Sequence, residues 1–284
     1  MASDEFRASL PALDASAWPM LGALAAHTGP AFLDLSGLRA VTPAGVAALL
    51  LVTRTRQGVF TILELPDRRS PVFKYLVQIR LVHLLRVWSN VRFDRPQDYN
   101  RPPDLAPGSL FSQTLISIDK PDAAADLMTS FLDDHYPRRA AKLRTVFTEL
   151  LNNLSDHSWT SDGTPFFCVQ MHALRSGLQI AFGDLGPGFR TSLARNPDLP
   201  AYSTEAQALH AAIVEAKSSM AHTHPTRGGG LRRALTAVAE LGGQYRVLSL
   251  DGSARLSADR TPTFGTPEDA FPGTLAWIDL PRTR

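Results

Sequence analysis

Residues 145–158 read Thr-Val-Phe-Thr-Glu-Leu-Leu-Asn-Asn-Leu-Ser-Asp-His-Ser, and this stretch limits the fold more than any other. Glu149, Asn153 and His157 recur at intervals of four. On an α-helix each such step rises about 6 Å and drifts about 40° around the axis, so the three form one slanting polar stripe. Val146, Leu150, Leu151 and Leu154 fall on other sides and demand an apolar partner layer. A carboxylate, a carboxamide and an imidazole in one row offer a base, a neutral oxygen ligand for a hard cation such as Mg²⁺, and a donor toward phosphate. A surface helix with its polar stripe in water shows the same pattern, so the rest of the chain must decide.

Two further polar signatures follow. Gln179-Ile180-Ala181-Phe182 reads as a strand and runs into Asp184-Leu185-Gly186-Pro187-Gly188-Phe189. A carboxylate at a strand end can accept a hydrogen bond from an amino group, and glycines let backbone approach a flat ligand. A plain turn has the same composition. Thr226-Arg227-Gly228-Gly229-Gly230-Leu231 feeds a helix expected over Arg232–Leu241, which Gly242-Gly243 ends. Glycines before a helix N-terminus expose N–H groups that suit phosphate, although the run lacks the Gly-Lys-Ser/Thr of a P-loop. The alternative is a hinge. Between these signatures, residues 189–227 are poor in apolar pattern except where Thr204 and Gln207 form a capping box before Ala208–Ala216, so a lid is expected. His222 and His224 read as solvated loop residues.

The remaining periodicity assigns elements. Strands are expected over 31–36, 59–65, 110–118, 166–173, 178–184, 245–250, 253–257 and 273–280. Helices are expected from Ala44 to Arg56, from Ser70-Pro71 through Leu85, from Ala123 to Asp134 and from Arg138 to His157. The first hundred residues thus run β-α-β-α, a small α/β layer with some parallel pairing. Residues 94–109 carry four prolines and little apolar content, a linker signature that divides the chain into 1–93 and 110–284. In the second part, two adjacent strands after a long helix suggest an antiparallel α/β sandwich.

The phrases Leu33-Asp34-Leu35-Ser36-Gly37 and Val41-Thr42-Pro43-Ala44-Gly45-Val46 resemble a STAS domain, the fold of anti-sigma-factor antagonists, over about residues 15–95. In that family a serine or threonine before the glycine at the helix start accepts phosphate. Here that position is Ala44, without a hydroxyl, so the resemblance implies a degenerate docking or scaffolding module. Residues 110–284 resemble the GHKL family, the Bergerat-fold ATP-binding domains of gyrase-type ATPases, heat-shock ATPases, histidine kinases and anti-sigma-factor kinases. Glu149-x-x-x-Asn153-x-x-x-His157 matches its N box in the anti-sigma-factor-kinase form, Asp184-x-Gly186-x-Gly188 its G1 box, and Gly228-Gly229-Gly230-Leu231 its G2 box. Gly273-Thr274 matches the threonine beside the adenine.

The resemblance implies an α/β chain: a small STAS-like layer, then a mixed, largely antiparallel sheet with helices on one face. It implies ATP and Mg²⁺ as cofactors. Asp184 would accept the adenine amino group with support from Thr274, and Asn153 would hold Mg²⁺. Gly186 and Gly188 would line the adenine turn, Arg227 and Gly228–Leu231 would wrap the phosphates, and His157 would lie toward them. Glu149 would act as base or orienting group. The implied function is a regulatory ATPase or a Ser/Thr kinase of the anti-sigma-factor type, acting with a STAS-like or sigma-factor-like protein partner. A nucleotide-gated binding module without turnover is the alternative, and family members often pair as dimers. No phosphoacceptor-histidine helix precedes the second part, which speaks against a sensor histidine kinase.

Composition narrows the remaining classes. Apolar residues make up 44% of the 284, enough to bury a core. A net charge of +2 argues against nucleic-acid binding through a basic surface. The single cysteine, Cys168, sits in the apolar run Phe166–Val169 and reads as buried and structural. The N-terminus lacks the order of a signal peptide, and no apolar run reaches the roughly 20 residues of a membrane span. A cytoplasmic location without a membrane partner is expected.

Overall fold

The structure is a computed structural model. It describes residues 5–56, 58–94, 112–117, 126, 128–130, 132–134, 136–157, 167–174, 177–219, 221, 229–256, 261–267 and 270–281. The expected linker 94–109, apart from Asp94, lies outside these residues, as do His222, His224, Arg227 and Gly228.

The chain is mixed α/β, with one parallel and one antiparallel main sheet. The first sheet has the order β1-β3-β5-β6, from Phe6–Ser9, Ala31–Asp34, Thr61–Glu64 and Val91–Phe93, every pair parallel. A two-residue pairing of β2 (Ala12–Leu13) with β4 (Ala40–Val41) lies beside it. Helices α1 (Trp18–Ala26), α2 (Pro43–Thr55), α3 (Pro71–Gln78) and α4 (Leu81–Trp88) connect its strands. Ser70 starts α3 by accepting the Phe73 N–H, as its Ser-Pro signal predicts. One helix was expected from there through Leu85. The structure breaks it at Arg80, whose left-handed backbone (φ 60°) redirects the chain so that both short apolar faces reach the core.

Among the described residues the second sheet has seven strands in the order β12-β11-β10-β13-β9-β8-β7: Pro262–Gly265, Gly252–Leu256, Gln244–Leu250, Phe271–Pro281, Gly177–Asp184, Phe167–Leu174 and Ser112–Ser117. Among the described residues every pairing in it is antiparallel, where a mixed, largely antiparallel sheet was expected. Its strands alternate. Ile180, Phe182, Ala276, Ile278 and Val247 face one core, and Ala181, Leu275, Trp277 and Leu248 face another. The first core is closed by α5 (Ala140–His157), α7 (Glu205–Ile213) and α8 (Gly230–Glu240). A short helix α6 (Gly188–Leu193) packs on α7. The segment expected as a largely unpatterned lid is therefore built in part on a small core of Leu193, Ala208 and Ala211.

The other face of this sheet is covered by the N-terminal unit. Helix α2 packs on β8, β9 and β13, and Pro43 through Thr53 are all buried. A helix apolar all round must be enclosed. This one lies between two sheets, and its small residues permit the approach. A Cβ on Gly45 would stand 2.0 Å from the Leu13 carbonyl oxygen. Trp18 of α1 meets Trp277 edge-on, with ring centroids 4.3 Å apart. Tyr75 of α3 stacks on His172 of β8 at 5.2 Å. Cys168 is buried in this shared core, and burial pushes its thiol far above the ordinary range, so it is unreactive packing as expected.

Candidate functional site

Helix α5 lays Val146, Leu150, Leu151 and Leu154 into the core, and its polar stripe faces a cavity of about 270 Å³. Glu149, Asn153 and His157 all line that cavity. Strand β9 delivers Asp184 to its wall, because Phe182 and Asp184 share one face of the pleat and Phe182 is packed against Phe147 of α5. Opposite Asp184 in the ladder stands Thr274 of β13. The first residues of α8 bring in Gly229, Gly230 and Leu231, and Gly188 opens α6 at the rim.

Of the twelve residues singled out in the sequence, nine therefore meet around one cavity. Gly186 does not line it. Its place is set by packing, since a Cβ there would stand 1.9 Å from the His157 carbonyl oxygen. That close approach ties the turn after β9 to the end of α5 and so sets the distance between Asp184 and the stripe. Arg227 and Gly228 lie outside the described residues. Thr274 was expected near the start of a last strand over 273–280. It lies inside a longer strand, where Gly273 takes φ +74° and a Cβ would meet the Asp184 carbonyl oxygen at 1.9 Å.

The Asp184 carboxyl is 6% exposed, and burial raises its pKa from 3.8 to about 7. One partial compensation acts the other way: the Gly186 N–H donates to Oδ1 at 2.7 Å. Asp184 is thus a deep acceptor with lone pairs left over, suited to an amino group on a flat ring. Ser219, 3% exposed, also lines the cavity, and among the described residues its hydroxyl has no hydrogen-bond partner. Buried polar atoms without partners are rare in native proteins, and one in a cavity wall points to a polar ligand.

Sequence reading missed two groups. Glu205, at the start of α7, is fully buried. Its Oε1 accepts the Phe189 N–H and, at 2.7 Å, the Ser249 hydroxyl, while Oε2 accepts the Arg190 N–H at 3.0 Å. It thereby satisfies two N-terminal amides of α6 and binds that helix to β10. Ser249 and Thr274 Oγ atoms are 3.2 Å apart. Because the single Ser249 proton goes to Glu205, the Thr274 hydroxyl donates to Ser249 and keeps its lone pairs for the cavity. The only local signal was an acidic residue in the first turn after the Thr204 cap, and that marks an ordinary helix start. The second group is Arg233, whose Nε donates to Glu149 Oε1 at 2.9 Å. Nothing in its helical spacing points across to α5.

Comparisons with protein-family models, with curated proteins and with solved structures returned no match to this chain. Among the described residues no helix is long and apolar enough to cross a membrane.

Proposed function

We propose that this chain binds Mg-ATP in the α5–β9–α8 cavity, as a GHKL (Bergerat-fold) protein carrying a degenerate STAS-like unit, and acts as a regulatory ATPase or Ser/Thr kinase of the anti-sigma-factor type on or with a protein partner. The observation that carries the reading is the convergence of three sequence-separated signatures and Thr274 on one cavity. Asp184 and the lone pairs of Thr274 suit an adenine amino group and its bridging water. The Gly229–Leu231 turn and the positive end of α8 suit phosphates. Bound ATP would supply the transferable phosphoryl group.

A divalent cation fits Asn153 as a single neutral oxygen ligand. Among the described residues no cluster of three His, Cys, Asp or Glu offers a separate metal cage. That suits Mg²⁺, which takes few protein ligands and completes its shell with phosphates and water. Glu149, one helical turn before Asn153, would hold or deprotonate the attacking water or hydroxyl, and α5 keeps the two in fixed relation.

The test is Glu149→Ala in the full chain. Turnover of radiolabelled γ-phosphate, to water or to a protein partner, falls about 10²–10⁴-fold while Mg-ATP still binds. If no γ-phosphate is released or transferred under any partner condition, the enzymatic reading fails.

One observation favours a second reading, a nucleotide-gated binding module. Ala44, at the position where a STAS domain would carry its phosphoacceptor, is 5% exposed and lines a cavity together with Trp277 and Arg246 of the second sheet. Such a unit relays the state of its neighbour and is not itself modified there. Full cellular function in Glu149→Ala together with loss in Asp184→Ala would select this reading over turnover.

A further inference from the structure

Arg233 stands one turn into α8, beside the cavity. Its Nε and Nη2 lie 2.9 and 2.7 Å from the same Glu149 oxygen, Oε1. The other oxygen, Oε2, rests against Gly230, where an added Cβ would stand 2.2 Å away. Gly230 is the first residue of this 11-residue helix, and its cap Gly229 is left-handed at φ +72°. The Glu149 side chain is 19% exposed and that of Arg233 56%. A carboxylate is thus seated on the positive end of a helix and gripped by a guanidinium, inside the cavity lined by Asp184 and Thr274. That seat is built for an anion, and the protein's own carboxylate sits in it.

We propose that Arg233, beside the phosphate-suited first turn of α8, is a further polyphosphate-recognising residue of this site, and that an incoming polyphosphate takes Arg233 from Glu149. The proposal deepens the nucleotide reading and rests on it for the adenine end alone. A guanidinium fork matches two phosphate oxygens as well as it matches a carboxylate, and a multiply charged phosphate chain outbids a single carboxylate for it. The same charge repels Glu149, which leaves the pair at the moment a phosphate arrives beside it. Arg233 is then the phosphate-recognising residue. Glu149 becomes free to accept a proton only when the site is loaded, which would restrain futile chemistry by a half-assembled centre.

The pair gives opposite signs in mutation. Removing Arg233 deletes a phosphate donor. Neutralising Glu149 deletes both the competitor and the repulsion. A merely structural ion pair would weaken binding from either side. The experiment is calorimetric titration of the full chain with inorganic triphosphate and, separately, with Mg-ATP, using the wild type, Glu149→Gln, Arg233→Ala, the double variant and Asp184→Ala. Thermal melts report folding for each.

Glu149→Gln is expected to bind both ligands roughly 3–10-fold tighter. Arg233→Ala is expected to bind both about 10-fold weaker or worse, and the double variant to match Arg233→Ala within about twofold. Asp184→Ala should weaken Mg-ATP and leave triphosphate unchanged. Weaker or unchanged triphosphate binding in Glu149→Gln, or wild-type affinity in a folded Arg233→Ala, overturns the proposal. Should the Glu149 and Arg233 pattern hold while Asp184→Ala binds Mg-ATP normally, the seat stands and the adenine reading falls. Binding of neither ligand by the wild type overturns both.

Discussion

Asp184 is the side chain whose physics is most exposed to measurement. Its carboxyl is raised from 3.8 to about 7 by burial. Between those values the folded protein keeps a proton that the unfolded chain has released. Stability therefore falls as pH rises through that window, by up to about 1.4 kcal/mol per unit, and levels off above it. Asp184→Asn carries no such proton. Denaturant unfolding at pH 5 and pH 8 should show the variant gaining on the wild type at the higher pH; parallel curves would refute the burial argument. A donated amino group favours the ionised carboxylate, so Mg-ADP affinity of the wild type should rise roughly tenfold from pH 6 to pH 8, measured calorimetrically. The residue type and its place before two glycines were legible in the sequence. Its depth was not, because the strand that carries it is enclosed between two packed cores and pairs with β13 at Thr274, which no local pattern records.

Helix α6 depends on a residue outside itself. Its first amides end on Glu205 of α7, and the same carboxylate fixes Ser249 of β10. Glu205→Ala removes three hydrogen bonds to one buried charge and strands their donors. Such bonds are worth about 1.5–3 kcal/mol each, so a loss of at least about 2 kcal/mol is expected, read as a lower denaturant midpoint. Amide exchange localised at residues 188–193 would show that the loss begins in α6, and unchanged protection there would count against it. The existence of α5, α7 and α8 followed from caps and the 3.6-residue period, signals that are local in the chain, although α7 runs Glu205–Ile213 directly from its Thr204 cap rather than over Ala208–Ala216. Where tertiary packing intervenes, those signals misled, as at Arg80, where one apolar run becomes two helices at an angle.

For the molecule as a unit, α2 matters most. The core around Leu49 and Leu51 continues into Cys168, Ala181, Leu275 and Trp277 of the second sheet. A fragment spanning residues 110–284 would expose that face to water as an apolar patch, and large patches of this kind drive association. The fragment should aggregate alone and become soluble when residues 1–93 are co-expressed with it. A monodisperse, folded fragment on size-exclusion chromatography would refute the shared core. For the intact chain, calorimetry should show one unfolding transition for both units, since a continuous core couples them. The proline-rich segment read as a boundary does not make the two units energetically independent.

The sequence by itself determined which chemical groups occur, in which order, and on which kind of element: a polar stripe on a helix, a carboxylate ending a strand, glycines opening a helix. Those patterns are short-range, and backbone geometry alone translates them into position. Only the tertiary structure decided that α2 lies between two sheets, that Arg233 crosses 84 positions to hold Glu149, and that Glu205 joins Ser249 across 44. Pairings over such separations arise from burial and close packing of whole layers. A charge or an apolar face finds its partner there by exclusion from water, and no local period encodes which partner that is.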